Sequence, residues 1–185
     1  MAAPVIRQLM DATSVGRSVT RIAHEILERN DGPQNIALIG IITRGEPLVK
    51  RIKKLIFDQS NEEIPIGLVD ITFHRDDFRE RLAVPQVKNT EIPFSIDDKT
   101  IILVDDVLFT GRTIRAAIEV LLSFGRPAKI QLAVLVDRGH REMPIRADFV
   151  GKNIPTHEGE HVKVLLKEID GKDAVQLVRS EGVVK

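Results

Sequence analysis

Asp105 and Asp106 are adjacent carboxylates at the end of a compact apolar run, 101–104 (IILV), and Thr110, Gly111 and Thr113 follow within a few residues. The apolar spacing then turns helical, with Ile114, Ala117, Ile118, Leu121 and Leu122 on one side. A strand, a short turn and a helix in that order aim free backbone N–H groups and a partial positive charge at whatever anion arrives. A site for phosphate alone has no use for two negative charges beside its anion. A sugar phosphate with a diol, or a phosphate carrying a divalent cation, does have a use for them. Carboxylates accept hydrogen bonds from ribose hydroxyls and hold Mg²⁺ directly or through water. The two Thr hydroxyls add donors, and Gly111 lets the backbone come close to a phosphate. Together these residues point to a ribose 5-phosphate site. The alternative for the same residues is an ordinary βα turn with solvated acids. A P-loop is excluded, because no Gly-Lys-Ser/Thr follows a glycine-rich turn.

A second constellation lies upstream. Residues 35–42 (NIALIGII) read as a buried strand that runs into Thr43, Arg44 and Gly45, with a helix expected over 47–56. An arginine among free amides suits a pyrophosphate. By itself Thr-Arg-Gly is a weak signal.

Further elements must position these two turns. A helix is expected over 13–29, with Val15, Val19, Ile22, Ala23, Ile26 and Leu27 on one face and Arg17, Arg21, His24 and Glu28 on another. Strands are expected over 66–73 and 130–136, and a pair over 162–169 and 174–178 around a turn at Asp170-Gly171. Between 74 and about 95 the chain is charged, aperiodic and broken by Pro85 and Pro93. So long a loop in a compact domain reads as a lid over a reactive centre or as a solvated hairpin.

The chain has 185 residues, enough for one domain with a real core. Its 27 Lys and Arg balance 27 Asp and Glu, so the molecule as a whole is no basic nucleic-acid binder, although a local basic patch is compatible with that total. Cysteine is absent, which removes disulfides and thiolate metal sites. No apolar run is long enough for a membrane span, and 1–11 (MAAPVIRQLMD) lacks the apolar core of a signal peptide, so a cytoplasmic protein is expected.

The segment 101–113 resembles the phosphoribosyl pyrophosphate (PRPP) motif of type I phosphoribosyltransferases, and Thr43-Arg44-Gly45 sits where that family places its pyrophosphate loop. The phrase VDRGHREMPIRADFVGKNIP is more specific. With TRIAHEILERN and DITFHRDD, it closely resembles the pyrimidine attenuators called PyrR, over roughly 13–170. That resemblance implies an α/β type I phosphoribosyltransferase fold in one domain, 1–185. Its central, mostly parallel sheet would be flanked by helices, with a small hood at about 138–165 and a flexible lid at about 74–95.

The resemblance also implies uracil plus PRPP going to UMP and pyrophosphate with Mg²⁺. Asp105 and Asp106 would be the catalytic carboxylates and lie near the metal that PRPP carries. PRPP would be bound by Thr43, Arg44 and 105–113, that is Asp105, Asp106, Val107, Leu108, Phe109, Thr110, Gly111, Arg112 and Thr113. Val136, Asp137, Arg138 and Val162 would meet the base. The motif alone leaves hypoxanthine or orotate open, and the hood phrase selects uracil by resemblance. The same family binds an operon leader RNA hairpin under control of uridine nucleotides, UMP and UTP. Thr20, Arg21, His24, Arg29, Arg141, Arg146 and Lys152 match its RNA-binding positions, and a homodimer or larger assembly is implied. Departures stand out: Phe109 replaces the family's Tyr, His74 replaces a lid Tyr, and Thr156-His157-Glu158 departs from the usual Thr-Ser after the hood. Phe cannot transfer a proton, so no general base acts from position 109.

Overall fold

The computed structural model describes residues 4–71 and 90–179. In chain order they form β1 (Val5–Met10), α1 (Ala12–Arg29), β2 (Ile36–Ile41), α2 (Gly45–Ser60), β3 (Ile66–Val69) and β4 (Thr100–Leu108). There follow α3 (Arg112–Leu122), β5 (Lys129–Asp137), β6 (Phe149–Asn153), β7 (Glu160–Leu165), α4 (Lys167–Asp170) and β8 (Ala174–Arg179).

The larger sheet has the order β3-β2-β4-β5-β6, and every pairing in it is parallel. Its central strands are continuous apolar runs because both faces are covered. In β4, Ile102 and Val104 point into a core shared with α1 and α2, whereas Ile101 and Leu103 point into a second core under α3. The strand's period of two thus feeds both layers. Helix α1 starts where Asp11 accepts a hydrogen bond from the Ser14 amide at 2.8 Å. Its buried stripe, Val15, Val19, Ile22 and Ile26, is the expected one. Among the described residues no helix is long and apolar enough to cross a membrane.

Several features differ from the sequence expectation, among them β3, which ends at Val69 where a strand over 66–73 was expected. Strand β4 does not stop at Val104 but runs on to Leu108, because β5 continues beside it through the pairs Asp105↔Val134, Val107↔Val136 and Leu108↔Asp137. The acid pair therefore lies within the strand. Helix α2 begins at Gly45 and ends at Ser60, longer than the apolar period marks. Strands β1 and β6 were not anticipated; each sits at a sheet edge and carries exposed residues that hide the alternation. The turn between β7 and β8 holds a helical turn, α4. Asp170 accepts the Leu166 amide (2.9 Å), Asp173 accepts the Lys167 amide (2.7 Å), and Gly171 takes φ +75°.

The smaller sheet is antiparallel, in the order β1-β8-β7. Its strands come from both ends of the chain, while β6, inside the range expected for the hood, extends the larger sheet. Most of the expected lid, with His74, Arg75, Arg79 and Arg81, lies outside the described residues. Of its end, Glu91 bridges to Leu68 through amide–carbonyl bonds of 2.8 and 2.9 Å.

Candidate functional site

The C-terminal ends of β2 and β4 are neighbours because the two strands pair in register, Gly40 beside Val104. Thr43 and Arg44 after β2 and Asp105, Asp106, Val107 and Thr113 from the β4–α3 unit therefore line one cleft of about 380 Å³, with Ile41, Ile42 and Ile71 as its apolar wall. Ligands in open parallel sheets bind at such strand ends. The peptide between Ile42 and Thr43 is cis.

Glycines let the two turns approach. A Cβ on Gly45 would lie 2.5 Å from the Val104 carbonyl oxygen and 3.1 Å from the Gly40 carbonyl carbon, both rigid main chain. Gly45→Ala therefore pushes the start of α2 away from β4, at an expected cost of about 2–3 kcal/mol. Urea denaturation checks this; an unchanged midpoint would show that the chains can separate freely.

Asp105 is buried and Asp106 half-buried. Each Asp accepts the amide that follows it, Asp106 N–H to Asp105 Oδ1 and Val107 N–H to Asp106 Oδ1, both at 2.9 Å. Burial pushes the Asp106 carboxyl above the ordinary Asp range, and the Asp105 hydrogen bond and the nearby Arg44 charge pull against that. A site that desolvates a carboxylate favours a cation or hydroxyl donors beside it. Gly111 opens α3 at φ +91° without a side-chain cap, so the first amides of the helix face the turn. Arg112 N–H has a side-chain acceptor there, Thr110 Oγ1 at 3.4 Å.

The loop 108–111 has a floor that its own sequence does not reveal. The Thr110 carbonyl accepts the Glu142 and Met143 amides, each at 2.9 Å. A Cβ on Gly111 would touch Met143 Cβ at 3.1 Å. Arg141, expected at RNA, is turned inward. It donates to the Phe109 carbonyl (2.7 Å), the Ile145 carbonyl (2.9 Å), the Gly139 carbonyl (3.3 Å) and the Asp137 carboxylate.

The Phosphoribosyl transferase domain matches residues 6–169 of this chain. The Bifunctional protein PyrR of Thermus aquaticus is 55% identical over 175 residues, covering 95% of this chain and 97% of that protein. The protein of the same name from Roseiflexus sp. is 54% identical, covering 94% and 96%. The chain belongs to the PyrR family. In three dimensions it is similar to a hypoxanthine phosphoribosyltransferase of Staphylococcus aureus (TM-score 0.69, 19% identity, 96% and 94% covered). It is also similar to a hypoxanthine phosphoribosyltransferase of Trypanosoma cruzi in a ternary substrates complex (TM-score 0.74, 17% identity, 96% and 97% covered). At those identities the likeness speaks for the fold and not for the base.

At the base end of this PyrR chain, Val136 is fully buried in the first core, so its side chain is turned from the cleft. Asp137 accepts the Gly139 amide at 3.0 Å besides Arg141. Arg138 is buried. Its guanidinium lies 3.9 Å over the Phe109 ring and donates to Thr156 Oγ1 (3.2 Å) and the Glu160 carbonyl (2.7 Å), with His161 Nδ1 at 3.3 Å. Burial lowers the Arg138 pKa, partly offset by the Glu160 charge. The half-buried Val162 packs against the first core. The pairing of Thr156, Glu160 and His161 with Arg138 was not anticipated; nothing local marks them as partners of an arginine more than a strand away.

The basic residues of α1 meet β6. Arg21 donates to the Val150 carbonyl (3.3 Å) and the Gly151 carbonyl, and Arg29 pairs with Asp148 at 3.1 Å and sits 5.6 Å over the Phe149 ring. Thr20 bonds back to the Gly16 carbonyl at 3.0 Å, and Lys152 reaches the Leu9 carbonyl at 3.1 Å. His24 and Arg146 are exposed, and Arg146 shares a hollow of about 290 Å³ with Arg29 and Asp148. Of the seven expected RNA residues, Arg21, Arg29 and Lys152 thus meet at or beside β6 and Arg146 lies next to Arg29, Thr20 and His24 sit elsewhere on α1, and Arg141 is committed to the loop floor.

Proposed function

We propose that this protein transfers the phosphoribosyl group of PRPP to uracil, giving UMP and pyrophosphate, and that it regulates pyrimidine biosynthesis by binding operon leader RNA under control of UMP and UTP. The observation that carries the reading is one cleft that joins an Arg-bearing loop after β2 to the acid pair in β4 and the amide-lined turn that follows it. One end suits pyrophosphate and the other suits a ribose 5-phosphate.

Asp105 and Asp106 accept the ribose 2′ and 3′ hydroxyls and set negative charge beside C1, where positive charge develops as pyrophosphate leaves. Amides from Leu108 to Thr113, with the Thr110 and Thr113 hydroxyls, hold the 5′-phosphate. Thr43 and Arg44 hold the pyrophosphate. Uracil lies between the end of β5 and the small sheet, with Arg138 and Phe109 at its edge. Phe109 moves no proton, so the chain contributes by positioning and electrostatics.

Among the described residues no group of three or more acids or histidines could cage a metal. Two oxygen donors, Asp105 and Asp106, nevertheless fit Mg²⁺ that arrives on PRPP and keeps substrate and water oxygens as its other ligands. Bound there, it would neutralise the leaving pyrophosphate.

RNA is tracked through its phosphates by the α1–β6 face. A homodimer or larger assembly would double that face by symmetry. The cytoplasm, where leader transcripts and PRPP occur together, is the proposed place of action.

One preparation tests both activities: product formation from PRPP with uracil, hypoxanthine or orotate, and retention of the leader hairpin with and without UMP. Turnover of hypoxanthine or orotate in preference to uracil would overturn the base assignment. RNA retention that ignores both sequence and UMP would overturn the regulatory one. Arg146→Ala is expected to lower the slope of log affinity against log salt by about one and to leave UMP synthesis intact. An unchanged slope would remove Arg146 from the interface.

A further inference from the structure

Arg44 is half-buried, with its side chain 30% exposed, and its guanidinium has partners outside the cleft. Its Nε donates to the Val164 carbonyl in β7 at 2.9 Å, and its Nη2 donates to both carboxylate oxygens of Asp170 at 3.0 and 3.3 Å. These partners lie 120 and 126 residues away in sequence. The receptor for this arginine is built, because Asp170 Oδ2 also accepts the Leu166 amide at 2.9 Å and cannot drift into solvent.

The helical turn that carries Asp170 is itself anchored. Arg51 donates to Glu168 at 2.8 and 2.6 Å and to Asp173 at 2.9 and 2.7 Å. Two arginines, one at the N-terminal edge of α2 and one within it, thus dock on a single turn of the small sheet. On its other side Arg44 is close enough to Asp106 for its charge to act there. Asp170, outside the cleft, thus holds a cation whose charge also reaches Asp106 inside it.

An exposed ion pair contributes little, but a main-chain acceptor plus a fork onto an immobile carboxylate restrains both position and plane of a guanidinium. Arg44 is the N-cap residue of α2. Fixing it also fixes the Thr43 to Gly45 backbone at the mouth of the cleft. We propose that Asp170 is a positioning residue for the phosphate-side loop, acting through Arg44. This rests on the PRPP reading above and assigns a role to the small sheet at the pyrophosphate end. Strand β7 then restrains cations at both ends of the site, Arg44 through Val164 and Arg138 through Glu160.

The test is Asp170→Asn, which keeps an acceptor for the Leu166 amide but loses the charge that holds Arg44. Steady-state kinetics are measured with PRPP and with uracil varied, together with product inhibition by pyrophosphate. The KM for PRPP and the inhibition constant of pyrophosphate are expected to rise about tenfold. The kcat and the KM for uracil are expected to stay within about twofold. In an Arg44→Gln background, Asp170→Asn is expected to add less than about twofold, because its target is gone.

An unchanged KM for PRPP overturns the inference. So does a full effect in the Arg44→Gln background, and so does a fall in kcat and Tm with both KM values rising together, which marks a merely structural residue. Failure of the reading beneath it looks different: the unaltered protein would then form no UMP from uracil and PRPP.

Discussion

Replacing Asp105 and Asp106 together by Asn is expected to lower UMP formation by about a thousandfold or more and to weaken PRPP binding. Both carboxylates sit in β4 at the wall of the cleft, and each is oriented by the next amide. Asn keeps size and one acceptor but withdraws the negative charge from beside the ribose. Near-normal PRPP binding and turnover would defeat the site assignment. Stability is expected to move the other way. Burial raises the Asp106 pKa in the folded state, so the folded protein binds the Asp106 proton more tightly than the unfolded chain does. Stability is then lost as pH rises from the unfolded value through the raised folded one. Asp106→Asn alone should therefore raise Tm at neutral pH. The gain should close as the pH falls below the ordinary carboxylate range, where the parent is protonated in both states. A lower Tm for the variant at neutral pH would refute this account.

Arg141→Met should cost about 2–4 kcal/mol of stability, and PRPP use and RNA retention should fall together. Met retains the apolar stem and removes the guanidinium. The Phe109, Gly139 and Ile145 carbonyls and the Asp137 carboxylate lose their common donor, and the floor under 108–111 loosens. Urea denaturation with uracil and PRPP assays reads this directly. A variant with the parent's urea midpoint and turnover, but without RNA retention, would return Arg141 to the RNA face and overturn the structural role. The contrast with Arg146→Ala, expected to affect RNA alone, separates the two arginines.

Much of the PRPP end is visible in a string of residues. The apolar run, the acid pair, Gly111 and the helical spacing after it lie within about two turns of helix and one strand, so local rules suffice. The limits of β4 are less visible, since Asp105 to Leu108 are strand only because β5 runs alongside. Strands β1 and β6 escape for a related reason. An edge strand has one neighbour and a wet side, and FVGKN or VIRQLM shows no clean alternation.

The basic residues divide in the same way. Arg21 and Arg29 announce themselves by helical spacing, and packing of α1 on β6 brings them beside Lys152. Arg141 and Arg146 look alike in the sequence, five residues apart, yet one faces the loop and the other solvent. Arg44 reads as a pyrophosphate ligand, but its partners at Val164 and Asp170 cannot be inferred from its neighbours in the chain.

Residue order alone determined the chemistry available to this protein: two acids and an open helix start at a strand end, a cation after another strand, and a zero net charge with local basic clusters. Tertiary structure alone decided which charges face the cleft, which are spent holding its walls, and where the strands end. Side-chain type and helical period are encoded within a few residues of each other. A hydrogen bond or ion pair between groups 120 residues apart is specified only once the sheets have assembled and water has been excluded between them.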